Sequence, residues 1–259
     1  MMLTAGWASD VGLVREHNED SACMVPQHGF FIVADGMGGH RAGDVASRLA
    51  TETIAEFFRT TANEDVTWPF HFDTSLSEEE NRLLTGIRIA NRQIFERSVR
   101  SREYRGMGTT VVGALFSPRR GCMYVGHVGD SRCYRLRDGQ LAQVTTDHTQ
   151  IELFIERGLI TRAEAAGHPS GNMVTRAVGV TDNLLLEMDL LELADGDRYL
   201  LCSDGLSDPV SQETILEALK IPDVGASADR LIELALRGGG PDNVTVVVAD
   251  VVDHDYGGQ

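Results

Sequence analysis

Short runs of apolar residues alternate along this chain with longer stretches in which apolar positions recur at helical spacing. Apolar-rich runs over 30–34, 198–202 and 244–252 predict buried strands. Apolar residues three and four positions apart predict a helix over 43–59. A serine followed by three glutamates predicts the start of a second helix, over 77–100. The pattern therefore mixes strands with helices.

The rest of the pattern adds more strands than helices. Further strands are predicted over 109–116, 121–128, 132–137, 140–145 and 184–191, and further helices over 149–166, 211–219 and 226–236. An Asp138-Gly139 pair joins two of these strands as a hairpin. Residues 63–72 and 167–172 contain turn formers and are predicted to be loops. Two packed sheets flanked by helix pairs would bury such a set, so we expect an α+β fold.

Length and charge limit the classes of function. With 259 residues, of which 42% are hydrophobic, the chain can bury the core of one large domain. Its net charge of −16 argues against a surface that binds nucleic acid or an anionic membrane. We therefore expect neither of these partners.

The cysteines and the N-terminus indicate a compartment. The four cysteines are scattered and form no C-x-x-C pair, which favours free thiols in a reducing environment. The first residues lack the charged flank and apolar stretch of a signal peptide, and no apolar run approaches the roughly 20 residues of a membrane span. A cytoplasmic protein is expected.

Three aspartates adjoin predicted strands and have glycines beside them. Asp35 and Asp204 follow apolar runs, whereas Asp242 follows three glycines and a proline and precedes the last run. Any one of them could belong to a simple turn. Together they predict a cluster of carboxylates that binds divalent cations. Arg15, five residues before Asp20, adds a guanidinium for an anion, so the set predicts a phosphate ester as substrate.

These residues occur in motifs that resemble those of the bacterial metal-dependent, type 2C (PPM-type) serine/threonine protein phosphatases. The motifs follow the family's order within residues 3–252: RxxNED at 15–20, VADGMGG at 33–39, GTT at 108–110, VGDSR at 128–132, TDH at 146–148, SDGLSD at 203–208 and DNVT at 242–245. The resemblance implies a four-layer α-β-β-α sandwich of two mainly antiparallel sheets flanked by helix pairs. It also implies a single domain over 1–254, followed by a short tail over 255–259.

The resemblance further implies two tightly bound Mn²⁺ or Mg²⁺ ions. In this family pattern, Asp35 bridges both ions and the carbonyl group of Gly36 binds one of them. Asp204 and Asp242 bind the other ion.

Supporting roles follow from the same resemblance. Glu19 and Asp20 would hold metal-bound waters, and Arg15 would clamp the phosphate. Asn243 would orient the preceding ligand, Asp242.

Asp130 has two interpretations. By resemblance, it binds a third, weaker cation together with Asp204 and Asp208. From its position after Gly129, it could instead cap a tight turn between two strands. Both interpretations stay open at this point.

The expected chemistry is in-line attack on phosphorus by a hydroxide that the two cations activate, with no phosphoenzyme. No cysteine lies in a Cys-x5-Arg loop and no Asp-x-Asp pair follows the first apolar run, so covalent routes have no support. Eukaryotic relatives have a histidine where this chain has Met37. His40 could replace that general acid or be a surface histidine, and a metal-bound water is a third source of the proton.

Residues 147–180 match in position a flap beside the active site of bacterial relatives, where substrate choice would be set. An ordinary helical excursion is the alternative.

The resemblance implies a monomeric phosphatase of phosphoserine and phosphothreonine proteins that opposes a eukaryotic-like serine/threonine kinase. Two other functions are considered. One is a metal-dependent phosphoesterase of small molecules, and the other is a non-catalytic pseudophosphatase that binds phosphoproteins.

Overall fold

A computed structural model of the chain describes residues 1–38, 42–61, 70, 72–165, 168 and 173–252. His40, the tail over 255–259 and most of the two predicted loops lie outside these residues. Among the described helices, none combines the length and apolarity needed to cross a membrane.

Two antiparallel sheets form the centre of the molecule. Sheet I contains, in spatial order, β1 (Met2–Asp10), β11 (Val244–Val252), β10 (Arg198–Cys202), β7 (Arg132–Arg137) and β8 (Gln140–Gln143). Sheet II contains β2 (Asp20–Val25), β3 (Phe30–Met37), β5 (Val111–Ser117), β6 (Cys122–Val128) and β9 (Glu187–Glu192), and the short β4 (Gly108–Thr109) pairs with the end of β3. Every strand pair named here is antiparallel.

Helices cover the outer face of each sheet. Sheet II is covered by α1 (Ala42–Thr61) and α2 (Glu78–Arg100), and sheet I by α5 (Asp204–Ser207), α6 (Gln212–Leu219) and α7 (Val224–Arg237). The predicted start of α2 is confirmed, because Ser77 and Glu80 form a capping box.

Three layers of apolar side chains separate the four layers of backbone. Successive side chains of a strand point to opposite faces. Phe30 and Ile32 of β3 therefore pack beneath α1 and α2, where Phe30 stacks on Phe58 at 4.1 Å between ring centroids. Phe31 and Val33 pack instead between the two sheets. The predicted four-layer sandwich is confirmed.

The helix predicted over 149–166 is wrong. The structure has two shorter helices there, α3 (Gln150–Glu156) and α4 (Arg162–Ala165). Gly158 lies between them with φ of +66°, a left-handed conformation that ends a right-handed helix. The helical spacing of apolar residues continues across Gly158, whereas the helical conformation of the backbone ends there.

Candidate functional site

Asp35 lies near the end of β3, directly opposite Asp20 of the neighbouring strand β2. Two threonines fix its backbone. Thr110 accepts a hydrogen bond from the N–H of Asp35 at 3.0 Å, and the hydroxyl of Thr109 donates to the carbonyl group of Asp35 at 2.8 Å. A Cβ at Gly36 would lie 2.1 Å from the carbonyl oxygen of Gly43, so only glycine fits after Asp35.

Sheet I brings two more aspartates to the same place. Asp204 begins α5 just after β10, and Asp242 precedes β11, which pairs with β10. Together with Asp35 and Asp130, they line a cavity of about 370 Å³ between the ends of the two sheets. Asp35, Asp204 and Asp242 are therefore neighbours, although the first and the last of them are 207 positions apart in the sequence.

The carboxylates in this cluster repel one another. Burial raises the pKa of Asp35 well above its ordinary value, and the charges of Asp20 and Asp204 raise it further. Burial, aided by nearby aspartates, raises the pKa of Asp20 to about 7, of Asp204 to about 6 and of Asp130 to about 7. A cluster of this kind needs protons or cations to balance its charge.

The donor atoms fit divalent cations. Three buried carboxylate oxygens, Oε1 of Glu19, Oδ1 of Asp20 and Oδ1 of Asp204, have no hydrogen-bond partner within the described part of the chain. Buried polar atoms are normally satisfied, so these oxygens indicate a missing partner. All the candidate ligands are oxygens, which Mg²⁺ and Mn²⁺ prefer. Asp35, Asp204 and their neighbours could therefore hold such ions.

Arg15 lies at the mouth of the cavity. Its Nη2 donates to Oδ2 of Asp242 at 2.6 Å, and 53% of its side chain is exposed. The hydrogen bond to Asp242 raises the pKa of Arg15, so the guanidinium stays charged. An exposed cation beside the carboxylates is suitably placed to bind an anion that enters the cavity.

Asn243 has a wider role than the sequence indicated. Its backbone N–H, and not its side chain, donates to Oδ1 of Asp242 at 2.8 Å. The side-chain amide instead accepts from the N–H of Glu19 at 2.7 Å and donates to the carbonyl groups of Val11 and His17. Asn243 thereby fixes the segment that carries Arg15 and Glu19 against the start of β11.

Sequence reasoning gave no role to Ser203. Its hydroxyl donates to Oδ2 of Asp20 at 2.7 Å and accepts from the N–H of Thr245 at 3.0 Å. Ser203 thus connects β2 of one sheet to β11 of the other, next to Asp204. The sequence shows only that Ser203 directly precedes the candidate ligand Asp204, and nothing in it indicates the partner Asp20.

Asp130 lies between β6 of sheet II and β7 of sheet I, and Asp208 directly follows α5. Asp130 is 7% exposed, and the charge of Asp204 contributes to its raised pKa. A second cavity, of about 620 Å³, adjoins the first and is lined by Asp130, Asp204, Asp208 and residues of α3 and α4. Met37, which lines the smaller cavity, has no group that could donate a proton.

Comparisons with known proteins identify relatives of this chain. The family model described as protein phosphatase 2C matches residues 15–231. The chain is 47% identical over 249 residues to the serine/threonine protein phosphatase PstP of Mycobacterium tuberculosis, which covers 96% of this chain and 45% of PstP. It is 34% identical to the serine/threonine phosphatase Stp of Listeria monocytogenes, over 95% of both proteins. The chain thus spans about half the length of PstP and nearly all of Stp.

Solved structures show the same fold. The crystal structure of the M. tuberculosis phosphatase PstP/Ppp matches with a TM-score of 0.86 and 44% identity, over 98% of this chain and 100% of that one. The PstP catalytic domain in complex with two manganese ions matches with a TM-score of 0.83 and 45% identity, over 97% and 99% of the two chains. The family match covers most of the chain, and the chain therefore belongs to the protein phosphatase 2C family.

Proposed function

We propose that this chain hydrolyses phosphoserine and phosphothreonine esters of proteins with the help of Mn²⁺ or Mg²⁺. The observation that carries the proposal is the convergence of buried carboxylates from both sheets, with unsatisfied oxygens, beside the exposed guanidinium of Arg15. Relatives with the same fold support it, because PstP and Stp are serine/threonine phosphatases and the PstP catalytic domain is known with two manganese ions.

The proposed ligands are those that the resemblance assigned. Asp35 and the carbonyl group of Gly36 would hold one cation, and Asp35, Asp204 and Asp242 the other, while Asp130 and Asp208 with Asp204 would hold a weaker third. Glu19 and Asp20, whose carboxylates each have an unpartnered oxygen, would act around them. Divalent cations supply charge neutralisation for the phosphate and lower the pKa of water to about 7.

The chain's own residues bind and orient the substrate. Arg15 would bind two phosphate oxygens with its planar guanidinium, released in part from Asp242 when substrate enters. Asn243 keeps the Arg15 segment in place through the bonds to Val11 and His17. Met37 supplies no acid, so the proton for the departing serine or threonine oxygen must come from elsewhere in the cavity.

The decisive experiment measures phosphate release from phosphopeptides after chelation. Activity should fall to background in a chelator and return with Mn²⁺ or Mg²⁺, since the proposed nucleophile is a hydroxide that exists near pH 7 only when divalent cations are bound. Small phosphate esters in the same assay test the alternative substrate class. We expect kcat/KM for phosphopeptides to exceed that for metabolite esters by at least about tenfold. The reverse order would favour the small-molecule phosphoesterase, and metal-loaded protein without turnover would favour the pseudophosphatase.

We extend the proposal to the surroundings of the enzyme. The partners would be phosphorylated proteins and a eukaryotic-like serine/threonine kinase, and the enzyme would act as a monomer in the cytoplasm. The four free cysteines, two of them buried, support a reducing compartment. The charge of −16 supports the expectation that nucleic acid is not a ligand.

Arg15→Ala should raise KM for a phosphopeptide by about 10–100-fold, because a charge-assisted pair contributes about 1.5–3 kcal/mol. Arg15→Lys should recover only part of this loss, since an ammonium group cannot form the two parallel bonds. The measurement is steady-state kinetics, and Arg230→Ala, which breaks an exposed ion pair on α7, is the control. Unchanged kcat/KM in Arg15→Ala would give Arg15 a structural role through Asp242.

A further inference from the structure

The four outer strands of the two sheets differ in how their free edges are protected. β1 and β8 are the outer strands of sheet I, and β2 and β9 are those of sheet II. A free edge carries unpaired backbone N–H and carbonyl groups, and proteins usually protect it by shortness, charge or cover. β8 has only four residues, β9 carries three carboxylates among six residues, and β2 has no exposed side chain. β1 is the exception.

β1 presents a long edge without charges. Its nine residues all pair with β11 on one side. Residues 2–9 contain no charged residue and no proline. Within the described part of the chain, the backbone of β1 forms no hydrogen bond outside this ladder, so its outward N–H and carbonyl groups have no partner there. An extended segment of another molecule could therefore pair with this edge as a sixth strand of sheet I.

An exposed tryptophan lies on the same strand. Trp7 is 52% exposed, and Met2 is 50% exposed. Single exposed apolar residues are common on protein surfaces and need no explanation. A half-exposed indole on an unprotected edge is different, because tryptophan is enriched at the centres of protein interfaces. The side chain and the backbone of β1 thus indicate the same binding surface.

This edge ends beside the mouth of the catalytic cavity. β1 ends at Asp10, and a turn of four residues separates it from Arg15. The turn is fixed, because the N–H of Leu13 donates to the carbonyl group of Gly240 at 2.8 Å. Arg15 binds Asp242, which lies just before β11, the neighbour of β1. The proposed phosphate site is therefore only one strand away from the free edge.

The turn between β1 and Arg15 also exposes apolar side chains. Leu13 and Val14, which directly precede Arg15, are each 68% exposed. A protein that places a phosphate on Arg15 must come close to both residues, because neighbouring Cα atoms are only about 3.8 Å apart. The surface around the mouth thus continues from Arg15 over an apolar turn to the edge of β1.

We propose that the β1 edge binds the segment that follows the phosphoserine or phosphothreonine of a substrate protein, as an added antiparallel strand. Antiparallel pairing is the more stable kind and occurs in both sheets. Because β1 runs toward Arg15, an antiparallel partner runs away from it. The charge of −16 favours a segment with basic and without acidic residues. The inference rests on the proposed function, since it needs a protein phosphate on Arg15.

Phosphopeptides of different length test the pairing. A core peptide has alanines on both sides of a phosphoserine. Two longer peptides add nine residues, the length of β1, either after or before this core, composed of threonine, valine and lysine. We expect kcat/KM to be about tenfold higher for the peptide extended after the phosphoserine, which corresponds to about 1.4 kcal/mol. The peptide extended before it should behave like the core.

N-methylation of the longer peptide identifies backbone pairing. In an added edge strand, alternate residues direct their N–H groups to the neighbouring strand, and the others direct theirs to solvent. One peptide is methylated at the odd positions of the extension and the other at the even positions. One of them should lose the tenfold gain and the other should keep most of it. Equal losses in both would contradict a β-ladder.

Lysine substitutions on the sheet edge supply the matched variants. Trp7→Lys removes the indole and adds an edge charge, so it should abolish the gain from the extension. Thr4→Lys adds the charge at another exposed position of β1 and keeps Trp7; it decides if Trp7→Lys fails to fold. Gln140→Lys is the control, because it places the same charge on β8, the opposite edge of sheet I. All three variants should keep wild-type kcat/KM for the core peptide and for p-nitrophenyl phosphate.

Hydrogen–deuterium exchange reads the edge without turnover. The peptide extended after the phosphoserine is prepared with a non-hydrolysable phosphonate in place of the phosphate. It should slow exchange of residues 2–10 in the wild type and in Gln140→Lys, and the corresponding core peptide should not. In Trp7→Lys and Thr4→Lys this protection should be lost.

The remaining outcomes would overturn the proposal. Equal kcat/KM for the three peptides, or a gain from the preceding residues alone, would contradict only this inference, because the phosphopeptides would still be hydrolysed. Turnover of small esters without turnover of any phosphopeptide would overturn the proposed function and the inference with it. A dimer in sedimentation velocity that Trp7→Lys dissociates, without an effect of peptide length, would assign the β1 edge to a second copy of the chain instead.

Discussion

Asp35→Asn should lower kcat for a phosphopeptide by at least about 100-fold, which corresponds to about 2.7 kcal/mol of transition-state stabilisation. Asp35 is the proposed ligand shared by two cations, and an amide lacks the charge that holds them. The same substitution should raise the Tm of the metal-free protein. Burial and neighbouring carboxylates raise the pKa of Asp35, so its charge destabilises the fold when no cation is present.

The sign of the pH dependence follows from the direction of that shift. A carboxyl group whose folded-state pKa is raised favours folding below its unfolded-state pKa, and that contribution is lost as the pH rises through the folded-state value. The gain in Tm from Asp35→Asn should therefore be largest at alkaline pH and should shrink toward pH ~4, the ordinary range of a free aspartate. Mn²⁺ should reverse the order of the two proteins by stabilising the wild type alone.

Calorimetry with and without chelator, together with steady-state kinetics, tests this result. Asp138→Asn is the matched control, because Asp138 lies in the β7–β8 turn with φ of +52°, which asparagine also adopts. It should change neither Tm nor kcat appreciably. If Asp35→Asn kept more than about a tenth of wild-type kcat, a loss of under ~1.4 kcal/mol, the assignment of Asp35 as the shared ligand would be wrong.

The aspartates of the site could be predicted because each lies beside an apolar run. Asp35 lies near the end of the buried strand β3 and Asp204 follows the buried strand β10, and the buried strands of a two-sheet sandwich end close to one another. Their convergence could therefore be predicted although they are far apart in the sequence. The roles of Ser203 and the Asn243 side chain could not be predicted, because their partners Asp20 and Glu19 come from the far end of the chain.

The elements missed or misplaced have physical causes of the same kind. β1 (Met2–Asp10) carries no continuous apolar run, since it is an edge strand with alternate residues exposed, and its nine residues are held by pairing with β11. The helix predicted over 149–166 failed at Gly158, where one left-handed residue outweighs the apolar spacing on either side. A run of apolar residues identifies a strand that is buried on both faces. A strand that is exposed on one face depends on its pairing with a neighbouring strand, which the local sequence does not show.

The residues around His148 show the same limit. His127, His148 and Glu187 are separated in sequence by strands and by two short helices. The pairing of β6 with β9 places His127 opposite Glu187, and the hydrogen bonds with Gly129 bring His148 beside them. Histidines in a sequence do not reveal their tautomer either. That state is fixed here by the N–H of Gly129, a residue conspicuous in the sequence only because it precedes Asp130.

The structure also weighs the two interpretations of Asp130. A capping role predicts that the turn depends on the Asp130 side chain, yet its preceding residue is held by two hydrogen bonds with His148. Asp130→Ala should therefore not show the loss of about 0.5–2 kcal/mol that follows removal of a cap. Because burial and Asp204 raise the pKa of Asp130, the metal-free variant should instead be at least as stable as the wild type near pH 8.

Turnover by Asp130→Ala should fall unequally for two kinds of ester. A serine alkoxide is a far more basic leaving group than a nitrophenolate, so its departure depends more on a proton. Met37 cannot supply that proton. If the source depends on Asp130, kcat should fall by about 100-fold or more for a phosphoserine peptide and by less than about tenfold for p-nitrophenyl phosphate.

Kinetics on both esters across a Mn²⁺ titration, with Tm measured in parallel, decides between the roles. The tight sites should remain filled in the variant, so its half-saturating Mn²⁺ concentration with the aryl ester should stay close to that of the wild type. Equal losses on the two esters would exclude a role in proton delivery and leave Asp130 the role of binding a cation that neutralises the phosphate. A lower Tm with both activities retained would return Asp130 to a structural role in the turn.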